Sequence, residues 1–176
     1  MEETENFKSD RILEEIHKRK DQTLDVQKEE EKVKLVIFTL GSHYYALHGD
    51  SVKEILTVLK IVRVPATPPF ILGIINVRGD IQSVIDVNLF MGQPPTETGV
   101  DSRIVIAEKN GIRSGILVDT VQDVLDAPKE SIQKPISTLN DTIRYFVDGE
   151  FSYRHHNVTL LDAGKLFEKI TEKNAD

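Results

Sequence analysis

Residues 46–56, Ala46-Leu47-His48-Gly49-Asp50-Ser51-Val52-Lys53-Glu54-Ile55-Leu56, return 69 positions later as Gly115-Ile116-Leu117-Val118-Asp119-Thr120-Val121-Gln122-Asp123-Val124-Leu125. Asp50 falls on Asp119, Ser51 on Thr120, Val52 on Val121, Glu54 on Asp123, Ile55 on Val124 and Leu56 on Leu125. Upstream, Val36-Ile37 meets Val105-Ile106 at the same offset. Downstream the offset grows to 76, which places a seven-residue insertion near Pro128 to Pro135. Phe70-Ile71 then meets Phe146-Val147, Gly73 meets Gly149, Arg78 meets Arg154, and Val84-Ile85-Asp86 meets Leu160-Leu161-Asp162. A last slip of one residue sets Leu89-Phe90 on Leu166-Phe167. The sequence therefore carries two copies of a unit of roughly 65 residues, each small for a stable core of its own. Paired units would bury a shared apolar seam, and that seam is where a third party is expected to bind.

The texture within each copy is of short β-type runs separated by turn residues. Lys34–Leu40 and His43–Leu47 flank Gly41-Ser42, and Arg103–Ala107 and Ile112–Val118 flank Asn110-Gly111, a strong two-residue hairpin signal. Further strands are expected at Glu54–Val58, Gly73–Val77, Ile81–Ile85, Ile143–Val147 and Asn157–Leu161, with short helices at Val87–Met91 and Ala163–Ile170. Gly92-Gln93-Pro94-Pro95-Thr96-Glu97-Thr98-Gly99 has the composition of a linker. The sum is a mainly β fold of about ten strands, the count of barrels or sandwiches.

Residues 1–33 differ from the rest. Eleven acidic and seven basic residues fill 18 of the 33 positions. Ile12, Leu13 and Ile16 share a helical face that ends at Lys20, with Ser9 or Asp10 as candidate cap. Too few apolar residues are present for a core, so the segment is expected to be a disordered or partly helical tail, or else a docking helix. The folded part is expected at 34–170, its first barrel unit at 34–92 and its second at 103–170, followed by a tail at 171–176.

Composition narrows the function. With 22 Lys+Arg against 29 Asp+Glu, the net charge of −7 repels phosphate backbones, and the basic residues do not cluster, which argues against nucleic acid. The absence of cysteine removes disulfides, thiolate metal sites and thiol catalysis. No apolar run reaches the ~18 residues of a membrane span, and the acidic start is unlike a signal peptide, so a cytoplasmic protein is expected. Phosphate-loop, dinucleotide and zinc-protease motifs do not occur. His155-His156 would point to opposite faces of a strand and make a poor metal pair. Asp50-Ser51 and Asp119-Thr120 stand at equivalent places, as the carboxylates of aspartic proteases do. Those enzymes follow the pair with glycine, whereas Val52 and Val121 suit a strand. A duplicated-barrel hydrolase and a ligand-binding regulatory β-barrel protein are the alternatives to a binding adaptor.

The run Pro65-Ala66-Thr67-Pro68-Pro69-Phe70-Ile71-Leu72-Gly73-Ile74-Ile75-Asn76-Val77-Arg78-Gly79-Asp80-Ile81-Gln82-Ser83-Val84-Ile85-Asp86 resembles the central signature of CheW-type chemotaxis coupling proteins. Phe38-Thr39-Leu40-Gly41, Tyr45-Ala46-Leu47, Val52-Lys53-Glu54-Ile55 and Gly115–Leu125 resemble the same family, over about residues 34–170. The resemblance implies two SH3-like five-stranded β-barrels sharing a hydrophobic core. It also implies an adaptor with no enzymatic activity, no cofactor and no metal. The implied partners are the cytoplasmic tip of methyl-accepting chemoreceptors and the regulatory domain of the histidine kinase CheA, in arrays at the membrane. By position, receptor binding is implied for Val52, Gly73, Arg78 and Val124, and kinase binding for Glu54 and Ile55. Bland explanations stand beside these: Val52 and Val124 as core, Gly73 as a backbone requirement, and Arg78, with Arg154, as a tie for its own turn. The family's usual proline is replaced by Ser83, which restores an N–H donor and is expected to loosen a sheet edge.

Overall fold

The computed structural model describes residues 12–18, 30–136 and 139–172, and the chain divides into two units at Glu31/Lys32. In the first unit, residues 12–18 form helix α1, with Ile12, Leu13 and Ile16 all exposed. The candidate caps Ser9 and Asp10 lie outside the described residues. The second unit runs β1 (Lys32–Leu40), β2 (His43–His48), β3 (Val52–Thr57), β4 (Ile71–Val77), β5 (Asp80–Ile85) and α2 (Val87–Phe90). It continues with β6 (Arg103–Lys109), β7 (Ile112–Val118), β8 (Thr120–Pro128), a 3-10 turn (Lys129–Ser131), α3 (Asp141–Tyr145), β9 (Val147–Tyr153), β10 (His156–Leu161) and α4 (Ala163–Glu172).

Strand residues alternate between two buried environments, which is why the runs read as continuously apolar. Along β6, Ile104 and Ile106 point into one core while Val105 and Ala107 point into another. Leu35 and Ile37 of β1, Ala46 of β2, Ala127 of β8, Phe151 of β9, and Val158 and Leu160 of β10 enclose the first barrel core. Ile75 and Val77 of β4, Val84 of β5, Ile104, Ile106 and Leu117 enclose the second, with Leu56 of β3 packed against it. Between the barrels lies a third core of Phe38, Leu47, Ile85, Val105, Ile116, Val118, Leu161 and Phe167, among others. The fold is mainly β, two five-stranded barrels with a common core. The seam expected to receive a third party is filled by the protein's own side chains, because the outward faces of both barrels need apolar cover.

The barrels are not the two sequence copies. One sheet has the order β8-β1-β2-β10-β9 and the other β3-β6-β7-β5-β4. The first two strands of each copy thus pair with the last three of the other, so neither 34–92 nor 103–170 is a barrel. The pairs β2/β10 and β5/β7 are parallel, and each joins strands of different copies that no tight hairpin turn connects. Adding five to each strand number of one sheet, cyclically, gives the other. The register obeys the sequence offsets too: Val52 opposes Ala107 as Val121 opposes Phe38, and both edge strands bulge at the matching place, between Val52 and Glu54 and between Val121 and Asp123. Gly73 opposes Val84 as Gly149 opposes Leu160.

Four expectations are corrected. Lys32 and Val33 pair with Pro128 and Ala127, so the first strand begins inside the segment taken as tail. Ile143–Val147 is not a strand: Asn140 Oδ1 accepts from the Ile143 N–H at 2.8 Å and starts α3, and β9 begins at Val147. β8 (Thr120–Pro128) is a strand beyond those expected from the sequence. Finally, Ser83 lies on β5, an inner strand between β4 and β7, where its hydroxyl is 2.8 Å from that of Ser114, so it ties two strands and loosens no edge.

Candidate functional site

The β4–β5 hairpin turns through Arg78 (φ 53°) and Gly79 (φ 94°), the left-handed pair that matches strand twist. Asn76 Oδ1 accepts the Gly79 N–H at 2.8 Å and fixes the turn. This geometry carries the Arg78 guanidinium over to β3, the edge strand of the same sheet. Its Nη1 and Nη2 donate to Glu54 Oε2 and Oε1 at 3.2 and 2.5 Å, a two-pronged ion pair. The Arg78 side chain is 77% exposed and that of Glu54 only 21%, so the pair offers its cationic side outward. Glu54 is flanked on β3 by half-buried Val52, packed on the shared core, and by exposed Ile55. Residues assigned to separate partners, Arg78 and Glu54, are one structural feature.

The other barrel holds the equivalent. Arg154 (φ 44°) and His155 (φ 69°) form the β9–β10 turn, and Arg154 lies 3.7 Å from Asp123 on edge strand β8. Here the shorter carboxylate is shared, accepting also from the Tyr153 hydroxyl at 2.8 Å, while the guanidinium stands 5.0 Å above the Tyr153 ring. Desolvation first, and then that hydrogen bond, hold the Tyr153 phenol above its ordinary pKa.

The remaining expected residues separate. Gly73 lies in β4 with φ 149°, and a Cβ there would stand 2.3 Å from the carbonyl oxygen of Val62. Val62 exchanges two backbone hydrogen bonds with Ile74, of 2.8 and 2.9 Å, which closes the edge of β4. A backbone requirement accounts for this glycine. Val124 sits on β8, in the other sheet from Val52, Gly73 and Arg78, at the position matching Ile55. It is 48% exposed and no core residue; its neighbour Leu125 is the one that packs inward. Ile81, beyond the Arg78 turn, is 60% exposed, and the sequence does not mark it, since isoleucine in an apolar strand reads as core.

The two aspartates do not form a dyad. Asp119 accepts from the Gly41 N–H and lines a cleft of about 370 Å³ with Leu40, His43, Pro94 and Thr96. Asp50 lines a different cleft of about 230 Å³ with His48, Lys109, Asp148 and Asp162. Separate clefts remove the proton-sharing geometry on which the hydrolase alternative rests. No helix among the described residues is long and apolar enough to cross a membrane.

Comparison with known proteins agrees with this architecture. The family model described as a CheW-like domain matches residues 34–171. The Chemotaxis protein CheW of Klebsiella aerogenes is 32% identical, covering 74% of this chain and 79% of that protein. The Probable chemotaxis protein CheW of Rhizobium etli is 29% identical, covering 80% and 90%. Among solved structures, the scaffolding protein TtCheW from Thermoanaerobacter tengcongensis superposes with a TM-score of 0.69 at 33% identity, covering 78% of this chain and 88% of that one.

Proposed function

The chain belongs to the CheW-like family, and from that membership we propose that it is a non-enzymatic adaptor joining the cytoplasmic tips of chemoreceptors to the regulatory domain of the histidine kinase CheA, in arrays at the membrane. Small barrels suit this task because they offer turns and edge strands to two partners at once without a cofactor. The observation that supports the reading best is the Arg78–Glu54 pair. It joins a hairpin turn to an edge strand and leaves a fixed guanidinium facing outward, a group that suits carboxylates and helix-end carbonyls on a partner. We place the receptor contact at Arg78 and Val52, on backbone shaped by Gly73, and the kinase contact at Ile55 and the outer side of Glu54. Because Glu54 also holds Arg78, the two contacts are mechanically joined. Val124 belongs to the matching face of the other barrel.

The test compares co-sedimentation with a receptor signalling fragment and CheA for the parent, Arg78→Glu and Arg154→Glu. Arg78 is mostly exposed, so its reversal changes stability by no more than about 1 kcal/mol. Assembly should nevertheless weaken at least tenfold, a loss of about 1.4 kcal/mol. Arg154→Glu breaks the matching pair in the other barrel and should leave assembly nearly unchanged. Unfolding of Arg78→Glu, or normal assembly of both variants, would overturn the site.

A further inference from the structure

Four of the eight strand pairings join one sequence copy to the other: β1/β8, β2/β10, β3/β6 and β5/β7. Each copy is therefore the other's missing half, and the only covalent connection between them is the stretch from α2 to β6. In this structure that stretch doubles back. Asp86 is fully buried, and its carboxylate accepts from the Thr96 N–H at 2.7 Å, the Thr96 hydroxyl at 2.8 Å and the Asn88 N–H at 3.0 Å. Asn88 Nδ2 donates to Thr96 Oγ1 at 3.0 Å, and the Gln93 N–H donates to the Asn88 carbonyl at 2.9 Å. The repeat provides an internal control. Asp162, the counterpart of Asp86, accepts from the Lys165 N–H as an ordinary helix cap. Two of the three bonds to Asp86 thus go to the linker itself.

We propose that this clamp selects between two assemblies of the same strands: the closed monomer, and a dimer in which two chains exchange their second copies. The partner is a second copy of this chain. In the exchanged dimer every barrel and core contact is remade across chains, and only the linker differs. A straightened linker cannot keep Thr96 folded back on Asp86, so the clamp favours the closed form. A short flexible linker also holds the two copies at an effective concentration on the order of millimolar, which a second chain must approach to compete. Such exchange is a low-cost route to a symmetric dimer.

The absence of cysteine permits a direct test. Lys34 and Asp126 are register partners on β1 and β8, both exposed. In the variant Lys34→Cys/Asp126→Cys the closed monomer oxidises to an intrachain disulfide. The exchanged dimer oxidises to two interchain bonds and migrates as a covalent dimer on a non-reducing gel. Dimers formed by surface contact give only intrachain bonds. The variant is unfolded under reduction, refolded over a series of protein concentrations, and then oxidised, with and without Thr96→Val or Thr96→Ser. The interchain fraction should rise with concentration, at least threefold more with Thr96→Val than in its absence, and Thr96→Ser should behave as the parent. Intrachain bonds alone at every concentration would overturn exchange. An unchanged fraction in a folded Thr96→Val would overturn the role of the clamp. If Thr96→Val does not fold, the concentration series of the Thr96-containing protein decides whether exchange occurs.

Discussion

A glycine at a proposed binding face can be there for reasons that have nothing to do with binding, and Gly73 shows how to separate the two. Its Cβ position is taken by the Val62 carbonyl oxygen, and its φ of 149° is one that side chains rarely adopt. Gly73→Ala should therefore cost several kcal/mol, about 2–4, through strain and loss of the Val62–Ile74 bridge. Gly79→Ala, with φ 94° but nothing within 4 Å, should cost only about 1–2 kcal/mol. Denaturant unfolding of the two variants measures the contrast, and equal losses would refute the steric account. Any loss of partner binding in Gly73→Ala must then be read against its stability. Arg78 had pointed to itself in the sequence, as a charge at the end of an apolar run; its bond to Glu54 had not, because the partners stand 24 residues apart.

Helices and strands were legible where local signals agreed with the tertiary outcome. Asn110-Gly111 has φ of 53° and 78° and turns β6 into β7 as expected. The exceptions share a cause: the repeat places elements as well as counting units. Shifting Glu54–Val58 by the offset of 69 lands on Asp123–Ala127, inside β8, and shifting Gly73–Val77 by 76 gives Gly149–Tyr153, inside β9. The apolar Ile143-Arg144-Tyr145-Phe146-Val147 reads as a strand by itself, although Asn140-Asp141 before it is a helix start. The boundary at β1 has a testable consequence. Among the described residues, none before Val33 belongs to the three cores, so deleting residues 1–29 should shift the melting temperature by less than about 5 °C. Deleting residues 1–34 removes the pairs of Lys32, Val33 and Lys34 with β8 and should lower it by more. Equal melting of both truncations would show that the start of β1 contributes nothing.

The molecule as a whole is where sequence reasoning stopped short. Duplication was visible in the spacing of matched residues, but the assignment of strands to barrels was not, since a repeat is equally compatible with two self-contained barrels. What decides between them is pairing at long separation, which leaves no local mark. Exchange between copies predicts that neither half folds alone. Fragments 30–97 and 98–176, purified separately, should each lack a cooperative thermal transition and should regain one when mixed in equal amounts. Cooperative unfolding of either fragment by itself would contradict the interlocked sheets.

The same strand order sets a schedule for the nascent chain. The barrel of β3 to β7 has all its strands once Val118 has been synthesised, whereas β1, made earlier, waits for β8, which ends at Pro128, and β2 waits for β10, which ends at Leu161. At about 5–20 residues per second, the interval from Leu40 to Leu161 is roughly 6–24 s. Throughout it the β1–β2 hairpin, with the apolar run Leu35 to Leu40, lacks at least one of its two flanking strands, β8 and β10, while the other barrel closes. The first strands of the barrels to leave the ribosome are thus among the last to be covered, and an apolar hairpin in that position is a natural substrate for chaperones that engage growing chains.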